Sequence, residues 1–71
     1  MQQVTNNYFK ARVIAKLDRT QAALGLGITT AELLAVESGR KEPDALLVAR
    51  MASLYHASSD WLIGLMDERS G

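Results

Sequence analysis

The sequence predicts an all-α fold, arranged as a single domain of five short helices. Alanine and leucine, which favour helices, are abundant, and the 71 residues include one proline. No stretch alternates apolar and polar side chains with the period of two that is typical of a strand. Polar residues able to cap a helix recur along the chain, each followed by apolar residues at helical spacing. The length suits one small domain, residues 1–71, without an internal linker.

The first two helices are predicted from their caps. The first runs from about Asn7 to Lys16, with Asn6 or Asn7 as the N-cap residue. The second begins after Asp18, another residue type that favours the N-cap position. The side chains expected to face inward are Tyr8, Ala11 and Ala15 from the first helix and Ala22, Ala23 and Leu26 from the second. Residues 1–5 and 68–71 are expected to be frayed.

A glycine turn separates the second helix from the third. Gly27 can adopt the left-handed conformation that ends a helix, and Ile28 then returns to the core. Thr29 is an N-cap candidate, and Glu32 three residues later completes the pattern of a capping box. The third helix is predicted to run from Thr30 to Ser38 and to end before Gly39. Its inward positions are expected to be Leu33 and Val36.

The last two helices follow the proline. The fourth is predicted to begin near Pro43 and Asp44, because proline suits a first helical turn and aspartate caps. Its apolar positions are Ala45, Val48, Ala49, Met51, Ala52 and Tyr55. His56 is expected to close it in a strained or left-handed conformation. Ser58 or Ser59 caps the short fifth helix, whose Trp61 is expected in the core.

Composition excludes several classes of protein. Without cysteine and with one histidine, the chain offers neither a disulfide nor a zinc site, and we expect no metal and no cofactor. No apolar run approaches about 18 residues, so we expect no membrane span. The first residues lack the features of a signal peptide, which predicts a cytoplasmic protein. No nucleophile and base lie at a meaningful spacing, so we expect no enzyme activity and no small-molecule substrate.

Several short motifs occur together at a characteristic spacing. They are Leu17-Asp18, then Ala23 with Gly27-Ile28, then Glu37-Ser38-Gly39-Arg40 with Pro43, and finally Ser59 to Gly64. This series resembles the phage repressor and Cro type (XRE-like) of helix-turn-helix domain. The resemblance covers residues 8–65 and places the helix-turn-helix at about 18–38. It implies a five-helix, lambda-repressor-like fold and a transcriptional regulator of repressor type, of phage or bacterial origin.

The resemblance also assigns roles to individual residues. Arg12 is expected to pair with Glu37 and to brace the first helix against the third. The third helix would enter the major groove of duplex DNA, with Arg19, Arg40 and Lys41 on the phosphate backbone. The candidate DNA-binding residues are therefore Arg19, Thr29, Thr30, Ala31, Leu34, Ala35, Arg40 and Lys41. Trp61, Leu65 and Met66 are candidates for a homodimer contact, because exposed apolar patches often mark such contacts.

Two departures from this family keep a second interpretation open. The outward face of the third helix lacks the Arg, Lys, Asn or Gln side chains that read base edges, and the formal net charge is zero. The alternative is a protein-interaction module on the same scaffold, which docks on another protein through Ala31, Leu34 and Ala35. A surface of mixed charge is compatible with both interpretations.

Overall fold

The computed structural model describes residues 6–64, which form five α-helices and, within that range, no strand. The all-α prediction is therefore confirmed for this part of the chain. The helices are α1 (Asn7–Ile14), α2 (Arg19–Leu26), α3 (Thr30–Glu37), α4 (Ala45–Tyr55) and α5 (Ser59–Leu62). Within residues 6–64, no helix is both long enough and apolar enough to cross a membrane.

Each helix begins at a polar side chain that accepts a hydrogen bond from the backbone N–H three residues later. The five caps are Asn6, Asp18, Thr29, Asp44 and Ser58. The structure thus selects Asn6 over Asn7 and Ser58 over Ser59. Such caps satisfy N–H groups that have no partner inside the helix.

The capping box predicted at the start of α3 is wrong in its second half. Thr29 Oγ1 accepts from the Glu32 N–H at 3.0 Å, as predicted. The Glu32 carboxylate, however, lies 2.6 Å from Lys41 Nζ. A reciprocal capping box forms at α2, where Asp18 and Gln21 each accept from the other's backbone N–H. The Glu32 carboxylate, which the pattern assigned to the capping box, therefore forms an ion pair with Lys41 in the loop after α3.

Two helix ends differ from the predicted boundaries. α1 ends at Ile14, because Ala15 closes it and Lys16 adopts a left-handed conformation with φ of 63°. α3 ends at Glu37, one residue early, and Ser38 is its C-cap residue. The left-handed conformations predicted at Gly27 and His56 are present, with φ of 75° and 55°. Thus polar side chains, as well as glycine, occupy left-handed positions in this fold.

All five helices contribute apolar side chains to the core. α4 packs against α2, α1 and α5, and α3 packs against α2 and α1. The buried apolar side chains are Tyr8, Ala11, Ala22, Ala23, Leu26, Leu33, Val36, Leu47, Val48, Met51, Tyr55, Trp61 and Leu62. For α4 the predicted face is partly wrong, since Ala45 and Ala49 are exposed and Leu47 is buried. The helix is turned so that the larger side chain fills the core.

Two asparagine amides fasten α1 to the rest of the domain. Asn6 Nδ2 donates to the Val36 carbonyl at 2.7 Å, and Asn7 Nδ2 donates to the Trp61 carbonyl at 2.6 Å. These bonds tie the start of α1 to α3 and to α5. Trp61 is buried, as predicted. Leu65 and Met66 lie outside the described residues, as do 1–5 and 68–71, so the proposed dimer contact and the frayed ends stay predictions.

Candidate nucleic-acid interface

The turn between α2 and α3 fixes how α3 faces the solvent. The Gly27 and Ile28 N–H groups donate to the carbonyls of Leu24 and Ala23, at 3.3 and 3.1 Å. Ile28 packs against the core cluster. With α3 held this way, Leu33 and Val36 are buried, as predicted. The opposite side of the helix therefore faces the solvent.

That solvent side carries small and apolar side chains. Thr30 and Ala31 are exposed, Ala35 is half-buried and Leu34 retains 42% of its surface. Ser38 at the end of α3 donates its hydroxyl to the Leu34 carbonyl at 2.8 Å and to the Ala35 carbonyl at 3.3 Å. The Ser38 hydroxyl is thus already engaged within its own helix. What this face presents is methyl groups, one leucine and the Thr30 hydroxyl.

A buried ion pair joins α1 to the far side of α3. Arg12 Nε lies 2.6 Å from Glu37 Oε2, and Arg12 Nη2 donates to Oε1 at 3.2 Å. Arg12 Nη1 donates to the Leu17 carbonyl at 2.9 Å, and the guanidinium lies 5.3 Å from the centre of the Phe9 ring. The two charged side chains are only 9% and 2% exposed. This is the pairing that the resemblance implied, and its geometry is bidentate.

Arg19 is a second guanidinium on the same carboxylate. Its Nε lies 3.3 Å from Glu37 Oε1, and its side chain is 38% exposed. Two positive groups therefore share one negative group. The cluster of Arg12, Arg19 and Glu37 keeps one net positive charge, which reaches the solvent through Arg19 at the start of α2. The sequence motifs indicated the Arg12 pair, but only the folded geometry brings Arg19 to it.

The other two candidate cations lie in the loop after α3. The N–H groups of Arg40 and Lys41 both donate to the Ala35 carbonyl, at 2.9 and 3.2 Å. This shared carbonyl fixes the loop against the end of α3. Arg40 is exposed and, among residues 6–64, has no ion-pair partner. Lys41 Nζ forms the ion pair with Glu32, which lies in the first turn of α3.

The hydroxyl of Tyr55, beside the buried ion pair, has an environment that the sequence pattern does not predict. The Tyr55 hydroxyl is buried without a hydrogen-bond partner among the described residues. The pKa of Tyr55 is raised to about 12, chiefly by burial and also by the negative charge of Glu37, while the positive charge of Arg12 lowers it. Burial also raises the pKa of Tyr8, and Glu42 adds to the shift. The apolar pattern predicted a buried ring at position 55 but carried no signal for an unpartnered hydroxyl.

Taken together, the arrangement brings Arg19 and Arg40 near the C-terminal end of α3, beside the exposed small side chains of that helix. Arg19 lies at the start of α2, and Arg40 and Lys41 lie beyond the end of α3. Within the described part of the chain, no group of three or more His, Cys, Asp or Glu residues could hold a metal ion. Comparison with protein-family models, with curated proteins and with solved structures finds no match to this chain.

Proposed function

We propose that this chain is a small sequence-specific transcriptional regulator of repressor type, with a lambda-repressor-like helix-turn-helix and of phage or bacterial origin. It acts in the cytoplasm, where it binds duplex DNA through α3. The observation that carries the proposal is the unit of α2, turn and α3. α3 is capped by Thr29, oriented by the Gly27 turn and exposed on one side, with the cations Arg19 and Arg40 near its C-terminal end. A helix presented in this way fits the major groove.

Arg19 and Arg40 supply the attraction to phosphate on this proposal. Arg19 carries the remaining charge of its cluster with Glu37, and Arg40 is exposed beyond α3. Contacts to phosphate position a protein on the duplex but carry no sequence information. The zero formal charge of the whole chain does not oppose such contacts, because the field at the interface depends on the charges near it.

Sequence is read through apolar contacts on this proposal. Thr30, Ala31 and Ala35 present methyl groups, which fit against the C5-methyl group of thymine in the major groove. The Thr30 hydroxyl can donate to or accept from a base edge. The eight residues of α3 include no Arg, Lys, Asn or Gln for bidentate contacts. We therefore expect weak discrimination that favours thymine-rich half-sites. A homodimer would read two half-sites about one helical turn apart.

A salt titration of binding to random duplex DNA tests the proposal. With two phosphate contacts per protomer, from Arg19 and Arg40, the slope of log affinity against log salt is expected to be roughly −1.8. Arg40→Ala should flatten this slope by about 0.9, because one phosphate contact is lost, and should leave sequence preference unchanged. Lys10→Ala is the matched control, since Lys10 is an exposed cation on α1. Absence of binding at low salt by folded protein would contradict the proposal.

The exposed apolar face of α3 favours a second candidate. Leu34 lies beside Ala31 and Ala35, and no charged or amide side chain competes for this surface. Such a patch suits the centre of a protein interface, where desolvated apolar anchors contribute most of the affinity. In this alternative the chain is a protein-interaction module that acts by binding another protein. Substitution of Leu34 separates the two candidates.

A further inference from the structure

The ion pair between Glu32 and Lys41 lies beside α3, and Lys41 is one of the cations that the proposed function places near the DNA backbone. The 2.6 Å contact occupies Lys41 Nζ, and both side chains remain partly exposed, at 49% for Lys41 and 32% for Glu32. The loop backbone is fixed by its bonds to the Ala35 carbonyl, so Lys41 reaches Glu32 from an anchored position. A carboxylate oxygen and a phosphate oxygen compete for the same ammonium group.

Glu32 is itself held in place. It is the third residue of α3, where a negative charge is stabilised by the N-terminal end of the helix dipole. Its backbone N–H is bound by Thr29 Oγ1. Glu32 and Lys41 also line one shallow surface cavity, together with Pro43 and Leu47. The carboxylate therefore lies beside the loop, within reach of Lys41.

We propose that Glu32 is an intramolecular competitor of DNA phosphate for Lys41, so that the pair limits the affinity of this interface. The inference rests on the proposed DNA-binding function and deepens it. In the free protein Lys41 is paired with Glu32. When DNA binds, Arg19 and Arg40 therefore make the phosphate contacts. A signal that removes the Glu32 charge, or draws it away, releases Lys41 and adds one contact.

The experiment compares salt slopes on one random duplex for the full chain and its variants. In the native background, Lys41→Ala should leave the slope nearly unchanged, whereas Arg40→Ala flattens it by about 0.9. Glu32→Gln should steepen the slope by about 0.9, so that its affinity falls about threefold more than that of the native chain between about 50 and 200 mM salt. In the Glu32→Gln background, Lys41→Ala should flatten the slope again by about 0.9, because the added phosphate contact is lost.

Glu42→Gln is the matched control. Glu42 is exposed and adjacent to Lys41, and its replacement changes the net charge by the same amount without touching the Lys41 contact. In the Glu42→Gln background, Lys41→Ala should leave the salt slope nearly unchanged. An equal effect of Lys41→Ala in all three backgrounds, or no effect in any, overturns the competition. If Arg40→Ala still flattens the slope, DNA binding stands while the competition fails; if no variant binds at low salt, both fail.

Discussion

The two sides of α3 place chemically similar residues in opposite environments. Leu33 is fully buried, whereas its neighbour Leu34 keeps 42% of its surface. Glu37 and Glu32 each have a carboxylate oxygen 2.6 Å from a cation, Arg12 and Lys41 respectively. The first pair is almost completely enclosed, and the second is open to water. The same residue types at the same distance therefore meet different dielectric surroundings.

This difference separates what holds the fold from what is free for recognition. A buried charge that loses its partner costs about 3–5 kcal/mol, because it cannot be solvated in place. An exposed pair contributes about 0.2–1 kcal/mol, because water and salt screen it. The core side of α3 can change little without unfolding the domain. The solvent side can change its chemistry at little cost to stability, which is the freedom that a binding surface needs.

The buried side should give the largest effect. Glu37→Ala leaves the Arg12 guanidinium enclosed without its carboxylate and is expected to lower the free energy of unfolding by about 3–5 kcal/mol. Arg12→Ala should cost less, because Arg19 still faces Glu37 at 3.3 Å. Urea denaturation of the single and double variants forms a double-mutant cycle. A coupling energy near zero between Arg12 and Glu37 would mean that their ion pair is not what makes the core side of α3 sensitive to substitution.

On the solvent side, Leu34→Gln separates the two proposed functions. The fold should be retained, because Leu34 is outside the core cluster. If α3 reads DNA, binding stays or improves, since glutamine can hydrogen-bond adenine. If Leu34 anchors a protein partner or a second copy, association weakens by about 2 kcal/mol. Circular dichroism, sedimentation and DNA binding measure these outcomes.

Leu24→Gln is the control for that experiment. Leu24 lies on α2 and is more exposed than Leu34, so the same exchange there should change neither fold nor binding. If Leu34→Gln unfolds and Leu24→Gln does not, the buried part of Leu34 makes a contact that the core requires. That result would break the distinction between the two sides of the helix.

The sequence predicted the core side of α3 better than the solvent side, and the reason is physical. Leu33 and Val36 follow helical periodicity, and Thr29 and Gly27 follow local capping rules. Such signals act within one turn of helix. The link from Glu32 to Lys41 spans nine residues. Which of two nearby groups a carboxylate chooses depends on how the loop folds back, and no local pattern encodes that.

The same limit applies to residues brought together from distant helices. The Arg12 pair was expected only because a known family has one, and the periodicity of α1 alone would leave that arginine unassigned. The third member of the cluster, Arg19, and the orphan hydroxyl of Tyr55 carried no signal in the sequence. Both depend on contacts between helices that are distant in the sequence. Tertiary contacts of polar groups are thus the least predictable part of the candidate site.

Tyr55→Phe tests the enclosed side with a smaller effect. Removing a buried hydroxyl that has no partner should be neutral or stabilise the fold by about 1 kcal/mol. The folded pKa of about 12 lies above the ordinary value of 10.0. Ionisation of Tyr55 therefore costs no stability below about pH 10, and stability falls as the pH rises from there through the folded pKa. Urea denaturation at pH 7 and in this alkaline range measures both effects.

The variant should lose less stability than the native chain in that alkaline range. Some alkaline loss should remain, because the pKa of Tyr8 is also raised in the fold. A destabilisation of Tyr55→Phe at pH 7 would instead mean that the hydroxyl has a partner, such as an enclosed water molecule. An identical loss of stability at alkaline pH in the native chain and the variant would mean that ionisation of Tyr55 does not destabilise the fold.

The smallest expected effect is on the open pair, and salt makes it distinctive. Glu32→Gln should change the free energy of unfolding by no more than about 1 kcal/mol, because Glu32 and Lys41 both remain in contact with water. At about 1 M salt the screening length falls to about 3 Å, so this difference should vanish. Glu37→Gln should keep its larger cost at the same salt, since ions do not reach an enclosed pair. Urea denaturation of both variants at low and high salt measures the contrast. Equal salt sensitivity of the two glutamates would mean that burial does not divide this helix into a structural side and a side free for recognition.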